Sequence, residues 1–204
     1  MTDDDATDAL TMAAWCEGKS DWLTQHDCEP PITLTIAAIE RAVVEDKTRR
    51  SRDHKLVVRW VEDVKPWIPC TTDRRAMREM IGAETPRDFL GLRLTLRRDA
   101  SVEFGGERTG GIRIMGSPDI PGKVVTVKNG NRRRPLEINM QHTTAPDALA
   151  SACEARGIPL AALSAEVRAQ TGVVRARTAH ALRHMPEERA AALRARTTTT
   201  TNEE

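Results

Sequence analysis

The stretch from Glu84 to Ile114, ETPRDFLGLRLTLRRDASVEFGGERTGGIRI, constrains the fold more than any other part of the chain. Leu92, Leu94 and Leu96 alternate with Arg93, Thr95 and Arg97. Successive side chains of a strand point to opposite faces, so this order places the leucines on one face and the cations on the other. A tight turn at Gly105-Gly106 and a closing strand to Ile114 complete the unit. A short sheet with an apolar inner face and a basic outer face suits contact with nucleic acid.

The same sheet pattern recurs on both sides. Ile32–Glu45, ITLTIAAIERAVVE, is rich in β-branched residues and reads as a long first strand, with helical periodicity in AAIERAVVE as the alternative. The basic run Asp46–Asp53 reads as a loop, and 55–62 as a second strand ended by Pro66 and Pro69. Thr71–Gly82 has the apolar positions of a helix, with Thr71 or Thr72 to cap it and Gly82 to end it. Val124–Val127 and Arg134–Met140 flank Asn129-Gly130, a strong hairpin signal. Two strands, one helix and a run of short strands predict an α+β body over residues 31–144, arranged as a small OB-like β-barrel with one inserted helix.

From Ala145 the pattern changes. PDALASACEARGI, PLAALSAEVRAQTG and TAHALRHMPEERAAALRAR are Ala-rich, helical in period, and separated by Gly157 and Gly172. They predict a C-terminal three-helix mini-domain over 145–196. The threonine run that follows has no core-forming residue, so 197–204 reads as a disordered tail.

Charge divides the chain in the same way. Residues 1–30 carry eight acids and one base, residues 31–144 carry 22 bases and 15 acids, and residues 145–204 are nearly balanced. The first 30 residues therefore read as an acidic, partly disordered arm beside a basic body, able to cover its basic face or simply to solubilise it. The acidic N-terminus is unlike a secretory leader, and no apolar run approaches the length of a membrane span. Cys16, Cys28, Cys70 and Cys153 form no C-x-x-C pair, which predicts reduced thiols in a cytoplasmic setting and no zinc site. His180 and His184 stand four apart on a helix but lack a third ligand nearby. No nucleophile, phosphate-loop or paired-carboxylate motif stands out, so the chain reads as a binding protein without a cofactor, not an enzyme.

The block from Leu56 to Ile114 resembles a family of small, mostly uncharacterised phage proteins. The pieces that carry the likeness are Met80-Ile81-Gly82, Gly91-Leu92-Arg93-Leu94-Thr95-Leu96, Phe104-Gly105-Gly106 and Gly111-Ile112-Arg113-Ile114. This chain departs from the family in having Phe89 in place of Trp, and Arg97-Arg98 in place of Tyr-Pro. The resemblance implies a phage origin, an OB-like sheet of the single-stranded-DNA-binding type, and a setting among replication and recombination proteins. The helical tail is similar to partner-docking extensions on some phage recombination proteins.

The candidate nucleic-acid contacts are the arginines of this body. Arg93, Arg97, Arg98, Arg108 and Arg113 belong to the central strands and hairpin, and Arg59 to the second strand. Arg49 and Arg50 lie in one basic loop, and Arg132, Arg133 and Arg134 in another. Guanidinium groups suit phosphate because they donate bidentate hydrogen bonds and never deprotonate. Trp67, held between two prolines, is the candidate stacking platform, whereas Trp60 lies in register with Leu56 and Val58 and reads as core. The expected function is low-specificity binding of single-stranded DNA, with a replication or recombination protein as partner through the tail. A protein-interaction module without nucleic acid and a nucleotide-sequestering anti-defence protein are the alternatives. Assembly into a homo-oligomer stays open.

Overall fold

A computed structural model describes residues 20–46, 51–104, 106–128 and 135–199. The fold is α+β. Strands β1 (Ile32–Asp46), β2 (Ser51–Trp60), β3 (Arg93–Asp99), β6 (Gly111–Ser117), β7 (Lys123–Val127) and β8 (Leu136–His142) form one mixed sheet in the order β2-β1-β3-β6-β8-β7. Two-residue strands β4 (Glu103–Phe104) and β5 (Glu107–Arg108) form a separate hairpin beside it. All ladders are antiparallel except the short one between β6 and β8.

The sheet differs from a closed barrel. Strands β2 and β7 end it on opposite sides and do not pair with each other. Helix α1 (Thr71–Ile81) lies between these two edges. Its Met77 lines a 170 Å³ cavity with Ile39 of β1 and Leu56 of β2. On the other side, Lys123 Nζ at the start of β7 donates to Glu79 O at 2.9 Å, and Arg75 donates to Lys128 O at 2.5 Å. Helix α1 ends as the sequence predicts, at Gly82 with φ of 63°, a conformation that costs glycine no Cβ clash. Its N-cap is Cys70 in place of Thr71 or Thr72, and no side-chain oxygen caps it.

One core fills the space enclosed by the sheet and α1. Leu34, Ile36, Val58, Leu92, Leu94, Leu96, Met77, Met80, Val125, Val127 and Met140 are its main members. Leu94 and Leu96 of β3 and Leu92 just before it are 0–1% exposed, in keeping with their alternation. Trp67 also belongs to this core, which corrects the expectation of an exposed platform: it is 3% exposed. The flanking prolines straighten the chain so that Trp67 bridges the outer edge of β2. Its N–H and C=O exchange hydrogen bonds with Val58 at 2.9 and 2.8 Å, and its ring stacks on Trp60 at 6.2 Å. This rung also protects part of an edge that would otherwise offer unpaired backbone groups.

The β1–β2 hairpin is longer than the sequence reading. β1 is a strand along its full length, and β2 begins at Ser51, so part of the basic run is paired backbone. β1 pairs with β3 only over Ile32–Thr35, then with β2 from Ile36 outward to Asp46. The distal half is thus a two-stranded ribbon. Arg49, Arg50 and Arg132–Arg134 lie outside the described residues, as does the acidic arm up to residue 19.

The C-terminal segment has its own small core. Helices α2 (Ala148–Ala155), α3 (Ala165–Ala169), α4 (Gly172–Arg183) and α5 (Glu187–Thr199) pack Leu149, Ala152, Cys153, Ile158, Ala179, Leu182 and Ala190 together. The segment read as a single last helix is two, because Pro186 has no N–H to continue the ladder. The helices dock on the body at Gly91. With φ of 80° there, a Cβ would lie 2.5 Å from His180 Cβ and 2.6 Å from Ala176 O of α4. No described helix is long and apolar enough to cross a membrane.

Candidate nucleic-acid interface

The predicted basic face is built where the sheet splits. β6 and β8 pair only through Gly116↔Gln141 and Ser117↔His142. A Cβ on Gly116 would lie 1.9 Å from Gln141 O, so only glycine permits that contact. Upstream of it the ladder between the two strands stops. A register shift beside Met115 in the β3–β6 ladder bends β6 at the same point. The gap is a cavity of 330 Å³, lined by Arg97, Asp99, Arg113 and Met115 on one side and by Leu136, Asn139 and Gln141 of β8 on the other. Thr72 and Asp73 of α1 also line it.

Arg97 and Arg113 face each other directly across β3 and β6. Like charges in that position repel, so each needs a counter-charge. Arg113 has Asp73: Nη1 donates to Oδ2 at 3.0 Å and to Cys70 Sγ at 2.9 Å, and Sγ in turn donates to Asp73 at 2.9 Å. The Asp73 side chain is 3% exposed. Burial raises its carboxyl above the usual range, and the Cys70 and Arg113 hydrogen bonds work against that rise. Burial acts against the charge of Arg113, but Asp73 and Cys70 outweigh it and hold the guanidinium more firmly protonated. Among the described residues Arg97 pairs only with Asp99, 4.0 Å away, and it is 50% exposed. The Asp99 carboxyl is lowered chiefly by the Ser101 hydroxyl, with the Ser101 amide and Arg97 adding to it.

The remaining arginines fall into two groups. Arg93 lies on the same strand face as Arg97, but its guanidinium turns inward to Asp119 at 2.5 Å, with side chains 13% and 3% exposed. It also donates to Pro146 O, which ties β3 to the start of the helical segment. Arg93 and Arg113 are therefore structural cations. Arg59, Arg98 and Arg108 hold exposed surface carboxylates instead: Glu40 at 2.6 Å, Glu29 at 2.6 Å and Glu103 at 3.6 Å. Surface pairs of this kind contribute at most about 1 kcal/mol, so a phosphate can displace the carboxylate.

No family model, curated protein or solved structure matches this chain.

Of the predicted residues, the structure brings Arg97 and Arg113 together on one cavity and leaves Arg108 on a neighbouring hairpin. Trp67 is buried, although it lines a second cavity together with Arg113. Sequence reasoning missed Cys70, Asp73, Asn139 and Gln141. Asp73 carried a signal, being an acid in the first turn of a predicted helix. The parallel contact that brings Asn139 and Gln141 to the cavity depends on a long-range pairing with no local pattern. Among the described residues no cluster of His, Cys, Asp and Glu is arranged to hold a metal.

Proposed function

We propose that this protein binds single-stranded DNA with little sequence preference, as a phage accessory protein of replication or recombination acting in the host cytoplasm. The observation that carries the reading is the contrast among its arginines. Among the described residues Arg97, Arg98 and Arg108 pair only with Asp99, Glu29 and Glu103, none of them fully buried, and of the three Arg97 lines the split in the sheet. Two sequence runs, Lys47–Arg52 and Lys128–Arg134, add eight basic residues and no acidic one. The second run leads, through Pro135, into Leu136 on the wall of the cavity. A curled sheet whose two edges meet one helix supports an OB-like derivation, with α1 in the place of a closing ladder. In this reading the strand is held by its phosphates, and the helical tail serves a protein partner.

The test is fluorescence anisotropy of the full chain with labelled oligo-dT of about 30 nucleotides, against duplex of equal length, from about 50 to 200 mM salt. Preferential binding to the single strand, weakening steeply with salt, supports the reading. No binding at the lowest salt rejects it.

A further inference from the structure

The cavity between β6 and β8 has a chemistry different from its rim. Both of its guanidinium groups already face carboxylates, Arg113 on Asp73 and Arg97 on Asp99. Glu137 adds a further acid to the lining. A phosphate entering this space would meet at least as many negative groups as positive ones. The groups left over are neutral. Thr72 and the exposed Asn139 and Gln141 are among the lining residues, and their side chains make no hydrogen bond among the described residues. Each amide presents a donor and an acceptor side by side. Ile114, Met115, Leu136 and Ile138 supply apolar wall between them. At 330 Å³ the space lies at the small end of ligand cavities, which run from about 300 to 1,000 Å³.

Uncharged donor–acceptor pairs between apolar walls fit a flat, neutral heterocycle with hydrogen-bonding edges. We infer that the cavity between β6 and β8 takes a single nucleobase, splayed out of a bound strand and met on its edge by Asn139 and Gln141. The inference rests on the reading of this face as a single-stranded DNA surface. Division of labour follows from it: the half-exposed Arg97 and Arg108 of the neighbouring hairpin hold phosphates, and the cavity, whose two guanidinium groups already face carboxylates, holds the base. Splayed bases of single strands are commonly hydrogen-bonded on their edges, and one such contact selects at a single position while the rest of the strand is held without preference. The Gly116 contact keeps the two strands joined next to the cavity, and Asp73 of α1 also lines it.

The experiment uses the full chain and the four uncharged deoxynucleosides, which carry no phosphate. Saturation-transfer difference NMR with each one, with the Met115 methyl followed by ¹³C labelling, reads the cavity directly. At least one deoxynucleoside is expected to bind and to shift the Met115 methyl. Asn139→Ala combined with Gln141→Ala is expected to weaken that binding about 5- to 100-fold, the range for loss of one bidentate base contact. Unchanged thermal unfolding of the double variant shows that the cavity and not the fold was lost. Oligo-dT binding without any deoxynucleoside effect overturns the base cavity and leaves the phosphate reading standing. Deoxynucleoside binding without oligonucleotide binding upholds the cavity and removes the phosphate reading. Loss of both removes both.

Discussion

Asp119 grips Arg93 with both of its oxygens. Nε and Nη2 donate to the carboxylate, and the Arg93 backbone N–H donates to Oδ2 at 2.8 Å. The pair sits at the junction of the sheet with the helical segment, because the same guanidinium reaches Pro146 O. Breaking one member of a buried pair leaves the other charge uncompensated, at a cost of about 3–5 kcal/mol. Asp119→Ala is therefore expected to lower the free energy of unfolding by about that amount in urea titrations. Arg93→Met combined with Asp119→Leu is expected to recover most of the loss, since it removes both charges.

The arginines separate by the same logic in binding. Arg97→Ala and Arg108→Ala should each reduce the slope of log affinity against log salt by about one, the effect of losing one phosphate contact. Thermal unfolding should stay close to that of the parent chain. Arg113→Ala should do the reverse, lowering stability because Asp73 is left buried and unpaired. An unchanged salt slope in both Arg97→Ala and Arg108→Ala would remove these residues from the interface.

Much of the sheet was legible because its signals are local. Alternation at Leu92–Arg97, β-branched density in β1 and the helix stop at Gly82 each state a conformation within a few residues. What escaped the sequence is long-range. Nothing near Gly116 indicates that Gln141 will lie against it, and nothing near Arg93 names Asp119 as its partner. The basic outer face was thus read as freer than it is, since two of its arginines are drawn inward by buried carboxylates. Trp67 was misread for a related reason: prolines indicate a break in a ladder, but here they deliver one more rung to the edge of β2. The three-helix reading of the tail missed Pro186 as a boundary, although its missing N–H is a local signal.

Gly91 is a close contact between the helical segment and the body. Its φ of 80° and the nearness of Ala176 O leave no room for a methyl group. Gly91→Ala should loosen α4 from β3 without unfolding the core built on Leu92, Leu94 and Leu96. Limited proteolysis should then cut between the body and α2 faster than in the parent chain. Unchanged proteolysis together with unchanged stability would show that α4 can shift to accept the methyl at little cost.

Cysteine reactivity should follow burial. Cys70 is exposed, whereas Cys28 and Cys153 are buried. Burial, with the charge of Asp27, pushes the Cys28 thiol up to about 11. Burial and then Asp147 also raise Cys153, against a smaller opposing effect of Arg175. Because the thiolate is the reactive form, iodoacetamide at about pH 8 should label Cys70 well before Cys28 or Cys153, with peptide mass spectrometry as the readout. Denaturant should abolish the difference. Equal labelling of the three in the native protein would mean that the cores around Cys28 and Cys153 open readily.

Acid should weaken the docking of α4. His180 packs against Gly91, its Nδ1 is buried without a partner, and its ring lies 4.5 Å from that of His184. Burial, then His184 and Arg183, lowers its pKa below the usual 6.5. Arg183, on the same helix, is in turn influenced by Glu62 and Arg93 of the body, and Arg177 bonds Asp88 O. The unfolded chain takes up the proton first as pH falls, so the contribution of His180 is intact above about pH 6.5 and is lost as pH drops through its lower folded value. Thermal unfolding at about pH 7.5, 6.5 and 5.5 should show a decline that His180→Gln makes shallower. The carboxylates of Asp88, Asp147 and Glu187, all lowered, lose their contribution only at more acidic pH, which separates their effect from this one. An identical decline in His180→Gln would assign the acid sensitivity to another group.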